Sequence, residues 1–190
     1  LFPYTTLFRS QAMWTNRLQD SSRVNVMVAV DGEWGLSMRV DSTPVFPRQM
    51  TLGAVTDNNL IYQMGREIGA QCRRLGVHIN FAPVVDVNNN PNNPVINERS
   101  FGENKYQVSL KGLEYAEGLQ HEGVLACAKH FPGHGDTDKD SHKELPSVMK
   151  PATVLDTMEL FPFKVLFKNQ VGSVMVAHLN VPAFDSDSGS

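Results

Sequence analysis

The densest chemistry in this chain lies between Lys129 and His142, in the run KHFPGHGDTDKDSH. It carries His130, His134 and His142, Asp136, Asp138 and Asp140, and Lys129 and Lys139. Pro132, Gly133 and Gly135 break any helix, so the run reads as a loop. A loop this rich in titratable groups, set after a strand, is where catalysis is expected. Asp140 and His142 are its sharpest pair. Residues two apart in an extended segment can point the same way. The carboxylate then accepts a bond from one imidazole nitrogen, fixes the tautomer and presents the other nitrogen to a substrate. On spacing alone the alternative stays open that the two are surface residues that never meet. His130, His134, Asp136, Asp140 and His142 are also legitimate metal ligands. No HExxH or other standard ligand spacing is present, and neither a metal nor another cofactor is expected.

Further candidates stand elsewhere. Asp31 and Glu33 follow an apolar run, and Trp34 beside them is either a sugar platform or a packed aromatic. Asn88-Asn-Asn-Pro-Asn-Asn-Pro94 is a turn-rich loop just past Asp86, whose plain role is to return the chain to the next helix. Arg99 follows; a guanidinium near a pocket suits hydroxyl or carbonyl oxygens.

These residues need a scaffold. A unit recurs in which a helical stretch ends near a glycine and a short apolar run follows, closing in polar residues and a proline. Gly76 precedes Val77 to Pro83, Gly123 precedes Val124 to His130, and Gly172 precedes Ser173 to His178. An earlier run, Val24 to Val30, ends in Asp31. The runs are apolar on both faces, as buried parallel strands are. Between them, Leu60, Met64, Ile68, Cys72 and Leu75 recur at helical spacing and predict one buried face. Thr56 or Asp57 is positioned to cap that helix, and Gly76 to end it in a left-handed conformation. Tyr106, Leu110, Leu113 and Leu119 outline a second helix. Thr153 to Asn169 is a third helical region, interrupted at Pro162.

Alternating strands and helices mean an α/β fold. Asp31 and Glu33, Asp86, Lys129 and His130, then His178 and Asn180 all sit at C-terminal strand ends. A (β/α)8 barrel gathers such ends around one pocket, whereas an open sheet concentrates them at one switch point. No GxGxxG or GxxxxGK[ST] follows a strand, which counts against nucleotide binding. Only part of a barrel is visible, since a whole one takes about 250 residues. The expectation is a partial (β/α)8 TIM-type barrel, truncated at both ends.

Composition agrees. The 190 residues are 41% hydrophobic and 19% charged, an ordinary globular balance. A net charge of -3 gives no reason to expect a nucleic-acid partner. No run of about 18 apolar residues marks a transmembrane helix. Cys72 and Cys127 have no zinc or CxxC spacing and read as buried free thiols. Residues 2–10 read FPYTTLFRS, which looks like one reading frame of a sequencing-library adapter. Residues 1–10 are set aside as a processing scar, leaving 11–190 as an incomplete barrel domain whose true N-terminus is missing.

With these motifs assembled, the chain resembles glycoside hydrolase family 3. Lys129 to Pro146 is similar to the signature loop of that family's β-N-acetylglucosaminidases. Asp31-Gly-Glu-Trp-Gly35 resembles its D-x-E-G-G element, with Trp34 in place of the first glycine. Asn80-Phe-Ala-Pro-Val-Val-Asp86 and Glu98-Arg-Ser-Phe101 resemble two further elements in the same order. The resemblance implies a (β/α)8 barrel that removes terminal β-N-acetylglucosamine with retention, often from peptidoglycan fragments. It implies His142 as acid/base and Asp140 as the partner that orients it. It implies substrate binding by Asp31, Arg39, Arg99, Lys129 and His130, and a nucleophilic aspartate beyond Ser190. The implied partner is an N-acetylglucosamine-containing carbohydrate, in the cytoplasm or periplasm of a bacterium; the compartment and the oligomeric state are not legible. The alternatives are a β-glucosidase on the same barrel and a degenerate sugar-binding module. The DSH loop argues against the glucosidase, because those relatives recruit a carboxylate as acid/base.

Overall fold

A computed structural model describes residues 6–41, 43–138 and 145–185, with only the backbone given for residues 6 and 7. The elements run β1 (Thr6–Leu7), α1 (Phe8–Ser21), β2 (Ala29–Val30), β3 (Val40–Asp41), α2 (Gln49–Gly53), α3 (Asn59–Arg74), β4 (Ile79–Asn80), α4 (Lys105–His121), β5 (Leu125–Phe131), α5 (Ala152–Thr157), α6 (Leu160–Lys168) and β6 (Ser173–Val176). Of the segment set aside above, Thr6–Leu7 form β1, which pairs in parallel with β3, Thr6 opposite Val40 and Leu7 opposite Asp41.

The principal sheet is four-stranded and parallel, in the order β2-β4-β5-β6. Helices cross between successive strands, so this is the partial (β/α)8 barrel that the alternation predicts. Parallel order brings the C-terminal ends of the strands to one rim, where the polar residues are. The regular strands are shorter than the apolar runs. Only Ala29–Val30 of the first run and Ile79–Asn80 of the second have ladder geometry. Beyond Asn80, Ala82 and Pro83 accept amides from Cys127 and Lys129, so the second run stays tied to β5. The expectation of strands buried on both faces fails at β6, where Val174 is 41% and Val176 66% exposed. As the outer strand of the order, β6 has no further described strand against it.

The buried face of α3 differs from the predicted one at one position, and that of α4 is not led by leucine. In α3, Met64, Ile68, Cys72 and Leu75 are buried, but Leu60 is 56% exposed and Ile61 takes its place. In α4, Tyr106 and Leu110 point outward, and Val108, Tyr115, Ala116 and Leu119 face the core. The reason is glycine. Gly65 and Gly118 let the two helices touch backbone to backbone. A Cβ on Gly118 would run into the Tyr62 carbonyl and lie 2.9 Å from Gly65 Cα. That contact line rotates both helices away from a leucine-led face. Asn104 caps α4, its Oδ1 accepting from Tyr106 N at 2.9 Å and Gln107 N at 3.3 Å, worth about 1 kcal/mol. At α3 the Asp57 carboxylate accepts from Asn59 N, and Gly76 is left-handed with φ 72°. The third helical region breaks at Met158–Glu159, and Pro162 lies in the first turn of α6. Both cysteines are free and buried.

Candidate active site

Buried polar bonds fix the loop after β2. The Asn80 side chain grips Gly32 from both sides, accepting from its N–H at 2.9 Å and donating to its carbonyl at 3.1 Å. The Tyr115 hydroxyl, from the core of α4, lies 3.0 Å from Gly32 O and 3.2 Å from Glu33 O. These bonds hold Glu33 at the rim, with its side chain only 2% exposed.

Two cations meet that carboxylate. Arg99 donates Nε to Oε2 at 3.0 Å and Nη2 to Oε1 at 2.7 Å. Lys129, at the end of β5, places Nζ 2.8 Å from Oε1 of Glu33 and 3.0 Å from Oδ1 of Asp31. Burial by itself would raise the Glu33 carboxyl, but the Arg99 hydrogen bonds and the Lys129 and Arg99 charges outweigh it and hold it at about 2. Arg39 stands 3.7 Å from the other Asp31 oxygen, with both side chains partly in water.

His130 is oriented from below. Asp86 is fully buried and accepts from His130 N, from His134 N at 2.7 Å, and from His130 Nδ1 at 2.7 Å. Burial pushes the Asp86 carboxyl up, but the charge and hydrogen bond of His130 and the two backbone N–H groups bring it below its usual value. With Nδ1 engaged, Nε2 of His130 faces Arg99 Nη2 at 3.2 Å. Neighbouring His134 is 1% exposed; burial lowers its pKa, and its Nδ1 lies 2.6 Å from Thr137 Oγ1.

The structure therefore brings Asp31, Arg39, Arg99, Lys129 and His130 to one cavity of about 520 Å³. Trp34, Met38, His134 and the 175–178 end of β6, with His178, complete its wall. One face of the Trp34 ring is covered by the Arg48 guanidinium at 4.4 Å, and Arg48 is paired with Glu98. Asp140 and His142 lie outside the described residues. Three groups of this site carry more weight than the sequence reading gave them. Glu33 is its electrostatic centre. Asp86 is not a wall residue at all but the buried support of His130. Arg99 is anchored as well as placed at the cavity: Nε and Nη2 each donate to Glu33, and Nη1 donates to Val95 O at 3.1 Å. The signal that could have found Glu33 is its i, i+2 spacing from Asp31 across a tight Gly32 turn. No spacing links Asp86 to His130.

Chemically, this is a rim of fixed charges and hydrogen-bonding groups around a cavity large enough for a sugar ring. Among the described residues its carboxylates are all engaged: Glu33 by Arg99 and Lys129, Asp31 by Lys129 and Arg39, Asp86 by His130 and His134.

Comparison with known proteins matches residues 5–190 to the glycosyl hydrolase family 3 N-terminal domain. Beta-hexosaminidase A of Pseudoalteromonas piscicida is 39% identical over 183 residues, which are 93% of this chain and 31% of that protein. The solved β-N-acetylglucosaminidase of Paenibacillus sp. str. FPU-7, from the same hydrolase family, superposes with a TM-score of 0.90 at 39% identity, over 97% of this chain and 37% of its own. NagZ of Neisseria gonorrhoeae, solved with N-trifluoroacetyl-D-glucosamine, superposes at 0.87 and 29% identity, over 94% of this chain and 55% of its own. The chain thus spans from 31% to 55% of the length of these relatives.

Proposed function

The chain belongs to glycoside hydrolase family 3, and from that premise we propose that it forms the substrate-binding half of a β-N-acetylhexosaminidase. The reaction is retaining hydrolysis of terminal, non-reducing β-N-acetylglucosamine, with peptidoglycan-derived fragments as the natural substrates. The observation that carries this reading is the convergence of Asp31, Lys129, His130 and Arg99 around Glu33 on one cavity. Asp31, Arg39 and Lys129 offer charged donors and acceptors to sugar hydroxyls. Arg99 and Asp86 hold Glu33 and His130 in place, so the site is organised before a sugar arrives.

Retaining hydrolysis needs an acid for the leaving oxygen, then a base for the attacking water. In this reading His142 supplies both, and Asp140 orients it. An imidazole suits the double duty because donor and acceptor forms are both accessible near neutral pH. In this reading the cavity carboxylates Glu33 and Asp31 are not the nucleophile, since both are paired with cations.

The test is hydrolysis by the full-length protein. An aryl N-acetyl-β-glucosaminide should be cleaved much faster than the matching β-glucoside. His142→Ala should slow substrates with poor leaving groups by about 10²–10⁴-fold and activated aryl substrates far less. Equal or faster cleavage of the glucoside would overturn the substrate class. Full activity of His142→Ala on a natural disaccharide would overturn the role of His142.

A further inference from the structure

The asparagine-rich loop after Asp86 reads in sequence as a plain return of the chain. In the structure it grips the histidine loop just before the stretch that carries Asp140 and His142. Asn93 is 1% exposed and uses its whole amide. Its Oδ1 accepts from Val95 N at 2.9 Å and Ile96 N at 2.8 Å, which shapes its own loop. Its Nδ2 donates to His134 O at 2.7 Å and lies 3.3 Å from Thr137 Oγ1. Asn90 adds a second arm, with Nδ2 3.3 Å from the carbonyls of Asp136 and Thr137. The packing between the two loops is tight. Gly135 lies against Val87, so that a Cβ there would collide with the Val87 carbonyl. From the other side, Lys150 reaches Asp136 at 3.0 Å and buried Glu159 at 2.6 Å.

We propose that Asn93, assisted by Asn90, is a positioning residue for the acid/base loop. It fixes the backbone of residues 134–138, from which the chain continues to Asp140 and His142. The asparagine loop does not touch the sugar in this account; it acts through His134, Asp136 and Thr137. The physical basis is that an acid/base must reach its proton within hydrogen-bond distance, and a misplacement of about 1 Å can cost about 10²-fold. The inference rests on the proposed role of His142, and the experiment separates the two.

The experiment uses the full-length protein and three variants. Asn93→Asp keeps the acceptor for Val95 and Ile96 but sets an oxygen against the His134 carbonyl. Asn90→Ala removes the outer arm, and its partly exposed position makes it the safer variant for folding. His142→Ala is the control. The readout is kcat on a disaccharide divided by kcat on an activated aryl glycoside, with melting temperature and KM measured alongside. A positioning role predicts that this ratio falls about 10- to 100-fold in Asn93→Asp and less in Asn90→Ala, with KM for the aryl substrate within about twofold of wild type. A purely structural role lowers the melting temperature and slows both substrates alike, leaving the ratio unchanged. An unchanged ratio in both asparagine variants, beside a depressed one in His142→Ala, overturns the positioning role alone. An unchanged ratio in all three overturns the acid/base reading and this inference with it. If Asn93→Asp does not fold, Asn90→Ala decides by the same criterion.

Discussion

Arg99 holds Glu33 side-on, with Nε and Nη2 each bonded to a different carboxylate oxygen at 3.0 and 2.7 Å. The two residues come from separate rim loops, and the fork geometry fixes both loops relative to each other. Lys129 adds a third point from β5. The rim charges are thus held by one another, and the pair is a structural joint as much as an electrostatic one.

This joint has a pH signature. The folded Glu33 carboxyl lies at about 2, below the ordinary carboxylate value of about 4.3. Its contribution is complete above that ordinary range and is lost as pH falls through the folded value. The difference corresponds to about 3 kcal/mol at neutral pH. Denaturant melts of wild type and Glu33→Gln should therefore differ by about 3 kcal/mol at neutral pH, with the gap falling by about half near pH 3. A gap that does not depend on pH would show that Glu33 stabilises by packing rather than by charge.

Asp86 makes a second, separable prediction. In Asp86→Asn the amide cannot accept from His134 N and His130 Nδ1 in the same way, so the His130 ring loses the bond that selects its tautomer. Hydrogen bonds to charged groups are worth about 1.5–3 kcal/mol, so kcat/KM should fall about 10- to 100-fold. Measurement well below the melting point separates this loss from unfolding. Wild-type kcat/KM in Asp86→Asn would mean that His130 has no part in binding or chemistry.

The contact of α3 with α4 can be probed at Gly118. Even a methyl group there meets the Tyr62 carbonyl, Arg66 N and Gly65 Cα, all of them backbone atoms that cannot swing aside. Gly118→Ala should therefore destabilise the fold by about 1–3 kcal/mol despite the better helix propensity of alanine. Calorimetry or urea melts would show it. A neutral or stabilising effect would mean that the helices can separate at no cost.

What the sequence made legible follows from the range of each signal. The parallel sheet showed because apolar runs ending in polar residues recur after Gly76, Gly123 and Gly172. The helices showed by period, but the buried face of α3 was misjudged at Leu60. Periodicity cannot see that Gly65 and Gly118 will meet across two helices and set the contact line. The cavity residues Asp31, Arg39, Arg99, Lys129 and His130 were legible because each belongs to a local motif. Asp86 was legible as a polar strand end, but its bonds to His130 and His134 were not, nor were those of Asn93 to His134 and Thr137, because these partners lie across the fold. Such pairings depend on the register of β4 and β5, which no local pattern encodes.

Trp34 is where this chain departs from the D-x-E-G-G element, and its setting suggests what the departure does. The ring lines the cavity wall, and Arg48, itself paired with Glu98, covers one face. An indole anchored by a cation in this way presents a fixed apolar surface, as a sugar platform requires. It stands beside Glu33, at the edge of the charged rim and not among its ion pairs. Its contribution should therefore be to ground-state binding rather than to bond breaking. Aromatic contacts of this kind are worth about 0.5–1.5 kcal/mol. In the full-length protein, Trp34→Ala should raise KM by about 2- to 10-fold, with kcat little changed, because binding energy shared by ground and transition states appears in KM alone. Arg48→Met should shift KM in the same direction by a smaller amount, since it removes the cation and leaves the ring. Steady-state kinetics on a disaccharide and on an aryl glycoside would then locate the platform. A larger effect on the disaccharide places Trp34 under the leaving sugar, and equal effects place it under the sugar that both substrates share. A fall in kcat with KM unchanged in Trp34→Ala would instead make the tryptophan part of the support for Glu33.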